Sequence, residues 1–358
     1  MRVVSVVGAR PQFIKAASVC RALRERHEEI LVHSGQHYDY GMSDVFFEQL
    51  GIPAPDYNLA VGSGGHGRQT GEMLGLLEDL LIERKPDVVL VYGDTNTTLA
   101  AGLAAAKLGI PVAHVEAGLR SFNRSMPEEI NRVLVDHISA LLLCPTTAGV
   151  DNLRAEGITE GVSLVGDVML DTARFFGESV DAAPVLGRYG VEPDGYFFAT
   201  VHRAGNSDDP EKLSAIVDAF RTLDRPVVWA IHPRTRKNLQ TSGLDAVVEA
   251  SDSIIAIEPV PYIDTVALLR SASALLTDSG GMQKEAYFFG VPCVTLRDET
   301  EWVETVELGW NTLAGADTDR IVAAATTRVR PDARPSVYGD GHAAEAIVEV
   351  LERFHGGT

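Results

Sequence analysis

The stretch KPDVVLVYGDTNTTLA, Lys85–Ala100, decides how this chain is read. Val88–Tyr92 is apolar at every position, without the alternation of a half-exposed strand, which marks a strand buried on both faces. It ends abruptly at Gly93-Asp94-Thr95-Asn96-Thr97. Strand, polar tip and following helix form the repeating unit of a parallel α/β sheet.

Working outward, the same unit recurs. Val3–Val7, Ile30–His33, Pro111–Val115, Ala140–Cys144 and Ser163–Val165 are further apolar runs in the first half. Tyr196–Val201, Pro226–Ile231, Ser253–Ile257, Ala274–Thr277, Pro292–Leu296 and Thr312–Ala314 follow in the second. Amphipathic stretches separate them, such as Gln69–Arg84 with Met73, Leu76, Leu77, Leu80 and Leu81 at helical spacing. Two sheets of about six strands are favoured over one of about twelve. A length of 358 residues also suits two domains. The expectation is an α/β fold: two Rossmann-like doubly wound parallel-sheet domains, 1–168 and 169–342, facing a cleft. The hinge is placed at Gly166–Asp171, and a terminal helix over 343–358 is left to pack back on the N-terminal domain.

Lys and Arg total 31 against 50 Asp and Glu, a net charge of −19. Such a surface repels nucleic acid and anionic membranes, and demands that any anion site be locally basic. No run reaches the roughly 18 apolar residues of a membrane helix. The opening MRVVSVVGARPQF reads as a strand and turn, not a signal peptide. Three widely spaced cysteines, Cys20, Cys144 and Cys293, form no CxxC and read as small core residues in a reducing, cytoplasmic setting.

Ligands of open parallel sheets bind beyond the carboxyl ends of the strands. The residues there are Gly8-Ala9-Arg10-Pro11-Gln12-Phe13-Ile14-Lys15, Ser34-Gly35-Gln36-His37, Gly93-Asp94 and Glu116-Ala117-Gly118-Leu119-Arg120. The second half adds His202-Arg203, His232-Pro233-Arg234, Asp278-Ser279-Gly280-Gly281 and Arg297–Glu301. Glycines, cations, carboxylates and histidines thus collect at one edge of each expected sheet. Ser279-Gly280-Gly281 opens a helix whose amides favour a phosphate, and Glu285, a turn further on, suits the hydroxyls of a ribose. A tight turn with a helix cap is the bland alternative. Arg10, Lys15, His202, Arg203 and Arg234 supply the cations a diphosphate needs. Arg10 and Lys15 flank Pro11 at a helix start, where cations oppose the helix dipole unless an anion joins them.

Asp94, Glu116 and Glu128 are candidate acid/base groups, although Glu128 sits in a first helical turn where acids are favoured anyway. His202 and His232 end neighbouring strands, where they suit phosphate or proton transfer. Gly62-Ser63-Gly64-Gly65-His66-Gly67 matches GxGxxG, but no clean strand precedes it, and it reads as a loop. No Walker A, GxSxG, HExxH or zinc-spaced cluster occurs.

Taken together, these loops resemble the non-hydrolysing UDP-N-acetylglucosamine 2-epimerases, a family of glycosyltransferase-B architecture. The matches are GARPQFIK (Gly8–Lys15), GQHYD (Gly35–Asp39), Lys85–Ala100, HVEAGLR (His114–Arg120), MPEEINR (Met126–Arg132), His202-Arg203, TDSGGMQKEA (Thr277–Ala286) and YGDG (Tyr338–Gly341). The resemblance implies inversion of C2 in UDP-GlcNAc to give UDP-ManNAc, with UDP expelled and re-added through a 2-acetamidoglucal. It implies no NAD, metal or other cofactor, a homodimer, and closure of two domains over a UDP-sugar. Asp94, Glu116 and Glu128 match the carboxylates that move protons, and His202 the histidine near the diphosphate. Arg10, Lys15 and Arg203 match substrate-binding cations, Ser279, Gly280 and Gly281 the phosphate cradle, and Glu285 the ribose ligand. Gln36, His37, Arg68, Gln69 and His232 match the surroundings of a regulatory UDP-GlcNAc site found in some members.

Two departures stand out. Ala204-Gly205-Asn206 follows His202-Arg203 without the family's acid, and Thr300-Glu301-Trp302-Val303-Glu304 replaces TERPE, so tryptophan stands where an arginine is common. The latter form is similar to archaeal-type members and to relatives acting on UDP-2,3-diacetamido-glucuronate, the alternative substrate. The remaining alternatives are a glycosyltransferase of the same fold, a catalytically silent UDP-sugar sensor and a hydrolysing epimerase.

Overall fold

The computed structural model describes residues 1–36, 51–327 and 330–357. Seven parallel strands form the first sheet: β1 Arg2–Val7, β2 Glu28–His33, β3 Tyr57–Asn58, β4 Val88–Tyr92, β5 Val112–Val115, β6 Leu141–Cys144 and β7 Val162–Leu164, ordered β3-β2-β1-β4-β5-β6-β7. Six form the second: β8 Phe197–Val201, β9 Val227–Ile231, β10 Ile254–Ile257, β11 Ala274–Thr277, β12 Cys293–Thr295 and β13 Asn311–Leu313, ordered β10-β9-β8-β11-β12-β13. Both sheets are doubly wound, as the continuous apolar runs predict.

Every strand read from the sequence is present, and β3 is added at an edge. At two residues it is too short to carry a hydrophobic pattern; it pairs Tyr57 with Val32 and Asn58 with His33. The GxGxxG stretch follows this edge strand and runs into the helix His66–Arg84, away from the turn after β1 where a dinucleotide fingerprint belongs.

The buried strands close-pack on their helices. Val4, Val6, Val89 and Val91 meet Met73, Leu77 and Leu81 of His66–Arg84, and Ala100, Ala101, Ala104 and Ala105 of Asn96–Lys107. The small alanine face lets these two helices lie side by side. In the second sheet Phe220 meets Trp229 edge-on, with ring centroids 5.3 Å apart. Cys20, Cys144 and Cys293 are buried and free, and burial pushes the Cys144 and Cys293 thiols up to about 12. Among the described residues no helix is long and apolar enough to cross a membrane.

Two compact units result, Met1–Arg174 with Ser336–Thr358, and Phe175–Pro335. The sequence places the break in a hinge at Gly166–Asp171, but a helix, Val168–Ser179, starts there and the unit boundary falls inside it. Gly166, at φ +90°, is instead part of the first unit's packing: an added Cβ would lie 3.1 Å from the Tyr338 carbonyl. Tyr338–Gly341 returns to the first unit too, its Tyr338 carbonyl accepting from the Asp167 amide at 2.9 Å. The terminal helix Ala343–Gly356 lies beside Arg10–Arg26, where Glu352 pairs with Arg26 at 2.7 Å and His27 at 2.9 Å.

Asp171 caps that helix from a distance, accepting the amides of Ala343 at 3.1 Å and Ala344 at 2.7 Å. Burial pushes its carboxyl up to about 6, against the two amides that favour the charged form. A carboxyl raised in the native state contributes stability at low pH and loses it as pH rises through its native value. Asp171→Asn mimics the protonated form. Urea unfolding is expected to show the variant gaining on wild type by about 1 kcal/mol between about pH 5 and about pH 7.5. A gap that closes or reverses over that range contradicts the assignment.

Candidate active site

In a doubly wound sheet the ligand crevice opens where neighbouring strands send the chain to opposite sides. That point lies between β1 and β4 in the first sheet and between β8 and β11 in the second. The loops there are Gly8–Lys15 with Gly93–Asn96, and His202-Arg203 with Asp278–Gly281. Arg10, Lys15 and Asp94 therefore lie at the first switch point and His202, Arg203 and Ser279–Gly281 at the second, while Glu116 follows the neighbouring β5 and Glu128 lies on Pro127–Ile138.

In the first unit, Gly8 leaves β1 under close approach: an added Cβ would sit 2.0 Å from Ser34 Oγ and 2.4 Å from Thr97 Oγ1. Gln12, buried, accepts the Gly8 and Ala9 amides at 2.8 and 3.1 Å and donates to the Tyr92 carbonyl at 2.8 Å, fastening this loop to the end of β4. The helix Arg10–Arg26 then begins, with Arg10 in its first turn and Lys15 one turn on. Lys15 Nζ contacts Glu116 Oε2, and both side chains are largely buried. Gly93 lies directly beneath them: its hypothetical Cβ would be 2.9 Å from Lys15 Nζ and 3.3 Å from Glu116 Oε2.

Glu116 has φ +72°, a left-handed backbone that disfavours a side-chain-bearing residue by about 1–3 kcal/mol. Such strain persists only where the surroundings over-determine it. Here the Glu116 and Ala117 amides both donate to Leu143, at 3.0 and 3.2 Å. Two residues on, the Gly118 amide donates to Asp136 Oδ2 at 3.1 Å. Asp136 also takes Arg120 at 2.7 Å and His114 Nδ1 at 2.7 Å. Burial pushes its carboxyl up, but His114 and Arg120 more than offset this and hold it below the usual carboxylate range.

Asp94, half-buried, is paired with Arg132, and its carbonyl accepts from Asn131 Nδ2 at 2.9 Å. Glu128 is half-buried in the first turn of the same helix, Pro127–Ile138. Its neighbour Glu129 is structural, accepting the Ser121 and Phe122 amides at 2.9 Å each.

The residues matched to a regulatory site divide. Gln36 Oε1 accepts from Thr97 Oγ1 at 2.7 Å, and Gln69 Oε1 from Asn96 Nδ2 at 2.8 Å, so both bear on the helix start after Asp94. Arg68 is exposed on His66–Arg84. His232 belongs to the second unit. His37 lies outside the described residues.

The second unit is organised by Asp278, fully buried at the end of β11. Its carboxylate accepts the His202 amide at 3.1 Å, the Arg203 amide at 2.9 Å and Asn206 Nδ2 at 3.2 Å. His202 Nδ1 lies 3.2 Å from it. Burial raises this carboxyl, and the His202 hydrogen bond and charge together with the amides bring it net below the usual range. The His202 ring faces His232 with centroids 5.9 Å apart. His232 caps its own helix, accepting the Arg234 amide on Nδ1 at 3.2 Å, while Arg234 pairs with Asp208.

Ser279 caps the helix Gly280–Phe289. At Gly280 an added Cβ would meet Glu301 Oε1 at 2.5 Å and Trp302 Nε1 at 3.2 Å. Glu301 is paired with Arg297 at 3.1 Å and lies 3.9 Å from Arg203. A carboxylate thus rests against the helix start expected to hold phosphate, with cations beside it. Trp302, where the family often has arginine, covers buried Lys284, whose Nζ is 4.0 Å from the ring centroid. Glu285 is buried and accepts from Tyr262 Oη at 2.8 Å.

Sequence reasoning gives no role to Asp136, Tyr262 or Lys284, and places Gln12 and Glu301 only among the strand-end residues. Asp136 offers a signal, since helical spacing from Glu128, Asn131 and Arg132 puts it on their side of the helix. Tyr262 lies far from Glu285 in sequence and offers none, while Glu301 is marked only by its place after a strand. Among the described residues no cluster of three His, Cys, Asp or Glu side chains could hold a metal ion.

The family model for UDP-N-acetylglucosamine 2-epimerase matches residues 21–352. A UDP-N-acetylglucosamine 2-epimerase homolog of Methanococcus maripaludis is 49% identical, over 99% of this chain and 100% of that protein. The UDP-2,3-diacetamido-2,3-dideoxy-D-glucuronate 2-epimerase of Pseudomonas aeruginosa is 48% identical, with coverage of 99% and 100%. The crystal structure of Methanocaldococcus jannaschii UDP-GlcNAc 2-epimerase in complex with UDP-GlcNAc and UDP superposes with a TM-score of 0.91 at 43% identity, covering 99% of this chain and 100% of that one. With the fold, the switch-point loops and these similarities in agreement, the chain belongs to the UDP-N-acetylglucosamine 2-epimerase family.

Proposed function

We propose that this protein inverts C2 of UDP-GlcNAc to give UDP-ManNAc. A carboxylate of the first unit takes the C2 proton while the C1–O bond breaks, leaving a 2-acetamidoglucal and UDP. UDP adds back at C1 and a proton returns to C2 from the opposite face. The C2 hydrogen is not activated by a carbonyl, so a positioned base and a stabilised leaving group are both needed. The observation that carries this reading is Glu116, held in a left-handed conformation and paired with Lys15 above Gly93. Asp94 and Glu128 complete the proton-moving set. His202, Arg203 and the Ser279-Gly280-Gly281 helix start take the diphosphate, and Glu285, aimed by Tyr262, takes the ribose.

A second reading has a specific ground. The Pseudomonas aeruginosa relative acting on a diacetamido-glucuronate, at 48%, is more similar than the Methanocaldococcus jannaschii UDP-GlcNAc 2-epimerase, at 43%. UDP-2,3-diacetamido-glucuronate is therefore the rival substrate for the same chemistry. The protein is further proposed to work in the cytoplasm as a homodimer, without NAD or metal. The three free cysteines fit a reducing compartment, and half-exposed Ile130 and Leu134 on Pro127–Ile138 offer an apolar surface for a second copy.

Incubation with UDP-GlcNAc in D₂O is expected to place deuterium on C2 of both epimers, read by proton NMR. A glycosyltransferase would leave C2 unexchanged, and faster exchange with the diacetamido-glucuronate would favour the second reading. Glu116→Gln is expected to slow exchange by about 100-fold or more; a rate near wild type excludes Glu116 from proton transfer. Because Glu301 places a negative charge where the diphosphate is to bind, Glu301→Gln should tighten uridine diphosphate binding by about tenfold in calorimetry. Weaker binding would mean that the carboxylate assists the ligand.

A further inference from the structure

Resting on the proton-transfer reading above, we propose that His114 and Asp136 are positioning residues that set the geometry of Glu116 and Asp94 jointly. His114 is a fully buried histidine in the middle of β5. Its Nε2 lies 2.7 Å from the Gly93 carbonyl and its Nδ1 2.7 Å from Asp136 Oδ1. The ring thus stands between the Gly93 carbonyl and the Asp136 carboxylate, one on each nitrogen. It thereby ties the end of β4 to the helix Pro127–Ile138.

Both tied points border candidate carboxylates. Gly93 immediately precedes Asp94 and forms the floor beneath the Lys15–Glu116 pair. His114 is two residues before Glu116 in sequence, and Asp136 holds the Gly118 amide two residues after it. The left-handed Glu116 is therefore fastened on both sides to one buried aspartate. Arg120 closes the network, donating to Asp136 at 2.7 Å and gripping Glu156 through two nitrogens at 2.6 and 2.8 Å.

The helix itself is the frame. Glu128, Asn131, Arg132 and Asp136 follow one another at steps of three, one and four residues, which places them along one side of a helix. Glu128 is carried directly. Asn131 and Arg132 fix Asp94 through its carbonyl and its carboxylate. Asp136 reaches Glu116 through His114 and Gly118. Any shift of this helix moves all the candidate carboxylates together, and neither His114 nor Asp136 needs to touch the sugar.

A positioning role predicts a loss in the chemical step with ligand binding intact, because displacing reacting groups by about 1 Å can cost about 100-fold in rate. His114→Asn is expected to lower kcat for C2 exchange by about 100-fold while KM and the uridine diphosphate Kd stay within about twofold. Asp136→Asn keeps an oxygen for the Gly118 amide and should lose less than Asp136→Ala. Should His114→Asn fail to fold, the two Asp136 variants decide the matter, with uridine diphosphate affinity reporting the folded state. Variants that exchange C2 within about threefold of wild type overturn the proposal, and so does a kcat loss matched by an equal loss of affinity. Absence of exchange in the wild-type protein overturns the functional reading and this proposal with it.

Discussion

In each unit a buried aspartate holds loops that carry candidate site residues, Asp136 beside β5 in the first and Asp278 at the switch point in the second. Asp136 collects His114, Arg120 and the Gly118 amide; Asp278 collects His202, the Arg203 amide and Asn206. Burying a carboxylate is costly unless charge and hydrogen bonds compensate it, and in both cases they do so by more than the cost, leaving the carboxyl below its usual range. The donors that supply this compensation are the loops bearing the candidate site residues. The same contacts that keep the aspartates ionised therefore keep the loops in place. Glu116 shows the consequence: its backbone strain is tolerated because Asp136 and Leu143 leave the loop no relaxed alternative.

The charge distribution follows a related logic. A chain of net charge −19 has to concentrate cations locally if it is to hold the anionic sugar nucleotide proposed for it. Unneutralised, those cations would repel one another, and the structure meets them with internal carboxylates. Glu116 stands beside Lys15, and Glu301 beside Arg297 near Arg203. Glu301 is the more consequential, since it rests against Gly280, where the helix amides offer an anion site. On the proposed function, a diphosphate entering there would exchange one anion for another.

Much of this was legible in the sequence, for identifiable reasons. Buried parallel strands are continuously apolar, so Val88–Tyr92 and its companions announce themselves, and their carboxyl ends localise the candidate residues by topology alone. The two-residue strand Tyr57–Asn58 has no pattern to detect. The unit boundary escaped because glycine and aspartate at Gly166–Asp171 suggest a hinge, whereas Gly166 meets a packing need and Asp171 caps a helix 172 residues away. Candidate residues at strand ends were readable, Gln12 and Asp278 among them; Asp136 and Tyr262, which lie on helices, were not. Tyr262 beneath Glu285 and Glu301 beside Gly280 become neighbours only through the fold. Trp302 was visible as a departure from the family pattern, but its contact with buried Lys284 required the structure.

On the proposed function, the loops held by Asp278 form a diphosphate site with Glu301 resting against it. A crystal structure of the protein with uridine diphosphate tests it most directly. Phosphate oxygens are expected on the amides of Gly280 and Gly281, with Asp278 unmoved in its hydrogen bonds to the His202 and Arg203 amides and the Glu301 carboxylate turned away. Diphosphate bound elsewhere, or seated there with Glu301 still against Gly280, would contradict it.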